Sequence, residues 1–520
     1  MYRPVSLPKL RMLPKRVTSV PLAGLLIMVS PGVHAQEIAS GAGQARAVSI
    51  VPRVSLTETF TDNVRPAETG RESEQITEIS PGIRITMQGA RVKGYFDYAL
   101  SGFFYAQNSS PSRTQNALST IGSFEAVDNW AFVDFSGSIS QQAVSAFGAP
   151  SFDHSAVNAN RAEVSSYRIS PYVRGRLGDI ASYEARYSRS VTGSDATAAS
   201  DVTSADAIVK ITGDKAFGNL GWSVDSSRQR IDYRPGRPTE ADRFNLGLSY
   251  AISPQLSMFV NAGRESNNYT SLDKQSHNTH GLGASWTPSE VTRIFASRNR
   301  RSFGDAHSLS FEHRSARTVW RFSDSKDVSV TPNLLGVSLG SIYDILFSQF
   351  ASIEPDPFAR AQLVNVFLQA FGISPNAVVI KSFLTSAVSL QRRQDLSFAL
   401  LGVRDTITFI ASRSENTRLD TVSSAVDDFN DSAVVRQRGF SVNYAHRLTP
   451  NHSLGVLVSQ QRTSGVSNLQ DIKFRFVNVG FSSKLGKRAA TTVALRHSVS
   501  SGAIAPYTEN AITFSLNVQF

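Results

Sequence analysis

The feature that most constrains this chain is an alternation of apolar and polar residues, sustained over segments of about 9 to 13 residues. From Ala511 to Phe520, Ile512, Phe514, Leu516, Val518 and Phe520 occupy every second position, with Thr513, Ser515, Asn517 and Gln519 between them. Successive side chains of an extended strand point to opposite faces, so this spacing makes one greasy side and one wettable side. The rhythm recurs. Phe244, Leu246, Leu248 and Tyr250 oppose Arg243, Asn245, Gly247 and Ser249; Val92, Phe96, Tyr98, Leu100 and Phe104 oppose Lys93, Asp97, Ala99 and Ser101. Val133, Phe135 and Ile139 face away from Asp134, Ser136, Ser138 and Ser140, and Phe440, Val442 and Tyr444 from Ser441, Asn443 and Ala445. Soluble strands average about 5 to 6 residues, whereas a tilted strand needs about 9 to 11 to cross a bilayer. The lengths here favour the membrane.

Connections give a second, independent sign. Short turns fall at Gln88–Ala90, Val127–Asn129, Leu177–Asp179, Ile252–Pro254, Thr287–Ser289, Leu448–Asn451 and Leu485–Lys487, all with turn-forming residues. Between them lie longer polar stretches at 61–73, 107–116, 143–163, 194–204, 232–241, 269–277, 417–432 and 501–507. Short turns on one side and long loops on the other mark an outer-membrane barrel. The expected fold is all-β: a transmembrane antiparallel β-barrel of about 22 strands, within about 16 to 24, the number being even with both ends periplasmic.

Residues 1–35 read as a signal peptide, leaving 36–520 as the barrel. Arg3, Lys9, Arg11, Lys15 and Arg16 precede the apolar run Val20–Ser30, and Val33-His34-Ala35 offers a small-residue cleavage site. That run is too short for a membrane-spanning helix, and no other stretch reaches 18 apolar residues. The formal net charge of +11 therefore belongs partly to an export leader. What remains is weak ground for nucleic-acid binding. The chain has no cysteine, which removes disulfides, thiolate nucleophiles and Cys-based metal sites.

One segment departs from the alternation. Within 341–372, Phe358, Leu363, Val364, Phe367, Leu368 and Phe371 follow helical spacing. Asp356 suits an N-cap, Pro357 the first helical position and Gly372 the end. This predicts a two-helix loop insert, its apolar face turned against the barrel mouth or into the lumen as a partial plug.

Catalytic chemistry is sparse. His277 and His280 could ligate a metal together only from a helix, and they sit at a loop-to-strand edge. Asp427-Asp428-Phe429-Asn430-Asp431 lacks the spacing and glycine of a calcium loop. No spacing singles out a Ser/His triad and no Walker-type loop is present. The expectation is no enzyme, no metal and no cofactor. Arginine is the stronger signal. Asp97, Asp134, Glu184, Arg186, Arg243 and Arg496 fall on the polar, lumen-lining face. Two readings stay open: a transverse field that orients polar solutes, or pairs that satisfy one another in a loop-packed lumen. Arg298, Asn299, Arg300 and Arg301, near a strand end, suit lipopolysaccharide phosphates.

The segment Ser49–Val64 (SIVPRVSLTETFTDNV) with Ile79–Arg84 (ISPGIR) resembles the opening of the outer-membrane β-barrel proteins associated with PEP-CTERM and exopolysaccharide systems. Tyr343–Phe347 (YDILF) and Pro355–Arg360 (PDPFAR) are similar to the insert of the same family. The terminal strand, through Phe514, Leu516, Val518 and Phe520, resembles the signal read by the barrel-assembly machinery. The resemblance implies a porin-like barrel linked to export or surface assembly of exopolysaccharide. Its implied partners are outer-membrane lipids and lipopolysaccharide, the assembly machinery and polysaccharide-export components. The family has no assigned catalytic residues, so no residue role transfers. The alternative is a non-conducting structural protein whose long loops bind surface polymers.

Overall fold

The computed structural model describes residues 48–196, 201–234, 236–330, 347, 360, 364, 383–385, 387–420, 427–486 and 488–520. The signal peptide expected at 1–35 lies outside them. So does the two-helix insert at 341–372 apart from Phe347, Arg360 and Val364, and among the described residues that insert is not borne out.

The first strands are β1 (Val48–Thr61), β2 (Glu74–Gln88), β3 (Val92–Tyr105), β4 (Arg113–Val127), β5 (Ala131–Ala143), β6 (Arg161–Leu177) and β7 (Ala181–Ser194). Next come β8 (Asp201–Phe217), β9 (Leu220–Arg234), β10 (Thr239–Ala251), β11 (Leu256–Asn267), β12 (Gln275–Ser289), β13 (Thr292–Arg301), β14 (Gly304–Arg314) and β15 (Thr318–Ser329). The last are β16 (Ser389–Leu401), β17 (Asp405–Arg418), β18 (Val434–Arg447), β19 (His452–Ser464), β20 (Ile472–Lys484), β21 (Ala489–Gly502) and β22 (Tyr507–Gln519). A short helix, α1 (Asp428–Asp431), sits between β17 and β18.

Every strand pairs antiparallel with its sequence neighbours, and β1 closes on β22 from Arg53 opposite Gln519 to Thr61 opposite Ala511. The result is a closed barrel of 22 strands. Closure removes the unpaired edges that lipid cannot satisfy. Apolar side chains of the alternation point outward: Leu246, Leu248 and Val260 are 50%, 53% and 56% exposed. Such exposure is costly in water and favourable against acyl chains. Several flat rings lie over a glycine directly opposite on the next strand, as Phe135 over Gly122 and Trp222 over Gly213. A Cβ at Gly122 would stand 2.1 Å from Phe135, so these pairs help pin register.

Connections such as 89–91, 128–130, 178–180 and 448–451 are tight on one end, while 62–73, 106–112, 144–160 and 465–471 lie at the other. Asn129 adopts φ 56° and Gly178 φ 58° in two of the tight turns, conformations that favour those residues. The turn expected at Thr287–Ser289 is displaced: β12 runs on to Ser289 and turns at 290–291. Its register shifts between Trp286 and Ser289, which accommodates Pro288 and its missing N–H. A further difference is the two-residue connection 302–303 at the long-loop end, where no loop was expected.

Candidate functional site in the barrel lumen

The long loop 144–160 does not extend from the barrel. It folds inward and is fastened to the lumenal wall on both sides of the β1–β22 seam. Arg496 on β21 places Nη2 2.6 Å from Asp153 Oδ2 of the loop and 2.7 Å from Glu509 Oε1 on β22. Thr61 donates its hydroxyl to Glu509 at 3.1 Å. Arg113 Nη2 donates to the carbonyls of His154, Ser155 and Ala156 at 3.0, 3.1 and 3.0 Å. The Tyr105 hydroxyl donates to the Ser155 carbonyl at 2.8 Å, and Tyr507 donates to that of Pro150. Phe152 stacks on Phe476 of β20 at 4.0 Å between centroids. Loop backbone left inside a lumen needs such partners.

The same loop is held to α1. Ser145 Oγ and the Ala146 N–H donate to the Asp428 carboxylate at 2.5 and 2.6 Å. Phe147, Phe383, Phe429, Val435 and Ile472 form an apolar cluster beneath them. The chain entering β16 joins in, because Leu384 donates its N–H to the Ala143 carbonyl at 3.2 Å and Leu419 to that of Val388 at 2.9 Å. A second set of contacts lies at the β9–β11 wall. Arg237 donates to the Asn268 and Ser271 carbonyls at 2.8 and 2.9 Å and reaches Asp420 at 3.2 Å. Below it Glu265, 1% exposed, takes a forked pair from Arg301 (Nε–Oε2 3.0 Å, Nη2–Oε1 2.8 Å) and a contact from Arg243 at 3.4 Å. The long-loop half of the barrel is thus bridged by loop-to-loop and loop-to-wall links.

The short-turn half differs. There inward side chains such as Ile121 and Ile208 remain exposed. Asp97 binds Arg53 at 2.7 Å and Arg84 at 2.9 Å and accepts from the Tyr95 hydroxyl at 3.1 Å. Arg186 reaches Asp134 at 2.8 Å and Glu184 at 2.9 Å. Its guanidinium also lies 3.8 Å from the centroid of Tyr172, which stacks on Phe132 at 5.1 Å, while Arg174 covers Phe132 at 4.4 Å. Three strands, β5, β6 and β7, therefore build one wall patch of rings, arginines and carboxylates.

Each residue expected on the lumen face has a carboxylate or arginine partner, but in separate groups: Asp97 alone, Asp134 with Glu184 and Arg186, Arg243 with Glu265, and Arg496 with Glu509. The loop partner Asp153 is not marked in the sequence, because it belongs to no alternating segment. The arginines assigned to lipopolysaccharide need correction. Arg298 and Arg300 project outward but both pair with Asp305, at 2.7 and 3.1 Å, and Arg301 turns inward to Glu265. His277 and His280 stand on β12, where an odd separation sends them to opposite faces. Asp427 caps α1 by accepting the Phe429 N–H at 3.0 Å, and Asp428 holds the loop.

Two loop carboxyls are displaced from the ordinary aspartate value in opposite directions. Burial works against ionised Asp153, yet the Arg496 guanidinium and the Ser155 N–H and hydroxyl outweigh it and hold the carboxyl well below 3.8. Burial pushes Asp428 up; the bonds from Ser145 and Ala146 oppose this, while the charges of Asp427 and Asp431 add to it.

The closed strand ring, apolar outside and polar lumen define a transmembrane β-barrel of the outer-membrane class. No family model and no curated protein matches the chain. Among solved structures it is similar to the FrpB iron transporter of Neisseria meningitidis, F5-1 variant, at 10% identity and TM-score 0.48, covering 90% of this chain and 82% of that one. It is also similar to BauA, the ferric preacinetobactin receptor of Acinetobacter baumannii, at 10% identity and TM-score 0.45, covering 90% and 80%. A third is the siderophore receptor PirA of Pseudomonas aeruginosa, at 10% identity and TM-score 0.42, covering 90% and 80%. Likeness at this level carries no argument about what this barrel handles.

Proposed function

We propose that this barrel is a gated, porin-like conduit for a polar, sugar-rich solute, tied to export or surface assembly of exopolysaccharide. The observation that carries the reading is the wall patch of β5, β6 and β7. Phe132 and Tyr172 stack on each other beneath Arg174 and Arg186 and so hold the two guanidiniums in place, and Arg174, Arg186, Asp134 and Glu184 offer hydrogen bonds for the hydroxyls of a sugar. The link to exopolysaccharide rests on the resemblance of the opening and insert motifs to the PEP-CTERM-associated proteins. On this reading residues 1–35 are a cleavable export leader, the assembly machinery reads Phe514 to Phe520, and no catalysis occurs.

The test is current through the purified full chain in planar bilayers, with acidic oligosaccharide added. The expected result is a blockable current, with Tyr172→Leu plus Arg186→Gln raising the half-blocking concentration about tenfold, equivalent to about 1.4 kcal/mol. A current that oligosaccharide never blocks would contradict the solute. The loop-to-loop links across the long-loop half favour a second reading, a non-conducting protein that binds surface polymer through its loops. Absence of current both in the native chain and in a variant with the Asp153–Arg496 link broken would select it.

A further inference from the structure

The lipid-facing side of β17 to β20 carries cations in direct cross-strand register. Arg413 stands opposite Arg438, Arg438 opposite Arg462, and Arg462 opposite Lys473. Arg475 follows on the same face of β20, two residues from Lys473. Directly opposed like charges, with Cβ atoms about 4.5 to 5.5 Å apart, destabilise a sheet. Carboxylates relieve little of this. Asp471 engages Arg462, with Nε–Oδ1 at 2.8 Å, and Glu415 takes Arg436 at 3.3 Å farther out. Among the described residues Arg413, Arg438, Lys473 and Arg475 have no ion pair. Several other outward arginines are neutralised, Arg298 and Arg300 by Asp305, Arg230 by Asp232 and Glu240, Arg392 by Asp324, while Arg189 and Arg264 have no ion pair among the described residues but face no cation across the strands.

Below the cations, toward the short turns, Phe409, Val442, Val458 and Val477 make an apolar row in the same register. The two rows are four residues apart, about 13 Å along the strand. Exposed arginines reach down over part of that distance. A surface that is cationic at headgroup level and apolar beneath fits an anionic lipid. The cationic row spans three inter-strand spacings, about 14 Å, which exceeds what one phosphate can bridge.

We propose that this surface seats one membrane glycolipid whose headgroup carries two phosphates, in the leaflet at the long-loop end. The phosphates bridge Arg413, Arg438, Lys473 and Arg475 through charge-assisted hydrogen bonds, and acyl chains lie on the Phe409–Val477 row. The lipid thereby supplies the counter-charge that the sheet lacks.

The test is native mass spectrometry and thermal unfolding of the full chain in a neutral maltoside detergent, with bisphosphorylated lipid A, monophosphorylated lipid A or inorganic phosphate added. The native chain is expected to retain the bisphosphorylated lipid at about tenfold lower concentration than the monophosphorylated one, and to melt higher with it. Arg413→Gln, Arg438→Gln and Lys473→Gln combined should abolish that preference. The combined variant should unfold no earlier than the native chain without lipid, because it loses only repulsion; Arg413→Lys plus Arg438→Lys should keep the preference. Equal retention of both lipid forms by the native chain, retention unchanged in the combined glutamine variant, or equal displacement by inorganic phosphate would overturn the proposal.

Discussion

Arg496→Leu is expected to release loop 144–160 and to raise the conductance of the barrel, the largest single-residue effect in the lumen. Arg496 is nearly inaccessible and lies between the Asp153 and Glu509 carboxylates. Its removal leaves two buried charges of like sign facing each other, a cost of about 3 to 5 kcal/mol against the docked loop. That is a shift of about a hundredfold or more in the closed-to-open ratio. Asp153→Asn keeps the Arg496–Glu509 pair and should cost less, about 1 to 3 kcal/mol. Acid should act through the same link. A carboxyl held low stabilises the docked loop above 3.8, and this contribution drains as pH falls through that value toward the folded one. Asp428 has the opposite sign: being raised, it favours the docked loop below 3.8 and loses that contribution as pH climbs through its folded value. Current recorded across pH is therefore expected to reach its minimum in mild acid and to rise on either side. Asp428→Asn should remove the rise on the alkaline limb alone. An Arg496→Leu channel with native current would contradict the latch.

On the outside of the barrel, Leu248→Arg is expected to lower folding stability in phospholipid vesicles by about 2 to 4 kcal/mol. Leu248 lies in the middle of an outward run from Phe244 to Tyr250 and is opposite Trp222 and Val260. Arginine in place of Asn245, three residues away on the same strand, puts the charge in the lumen and should change stability by less than about 1 kcal/mol. Denaturant titration of the two variants compares them directly. Equal losses at both positions would mean that the two faces share one environment.

Much of this fold was legible because lipid and water impose a binary choice on every second residue. Leu246 and Asn245 need no partner in the chain to know their side. The even strand number followed from alternating turns and loops. The inward fastening of loop 144–160 was not legible, since Asp153 and Arg496 are 343 residues apart and nothing in 144–160 repeats or alternates. Parity alone separates Arg301 from Arg298, but their different partners depend on the tight 302–303 connection bringing Asp305 back alongside. The cationic row on β17 to β20 was hidden for a related reason. Arg413, Arg438, Arg462 and Lys473 are unremarkable in their own strands and meet only through registers that turn lengths set. Within β12, Pro288 suggested a turn, and a register shift carried it into the strand instead.

The absence of cysteine allows the central claim to be tested position by position. Single cysteines at 244 to 249 on β10, each carrying a nitroxide label in vesicle-embedded protein, report accessibility to oxygen in the lipid and to a nickel chelate in water. The expected pattern has a period of two, with 244, 246 and 248 reached by oxygen and 245, 247 and 249 by the chelate. Uniform access of either reagent across all six positions would contradict a wall with lipid on one side and an aqueous lumen on the other.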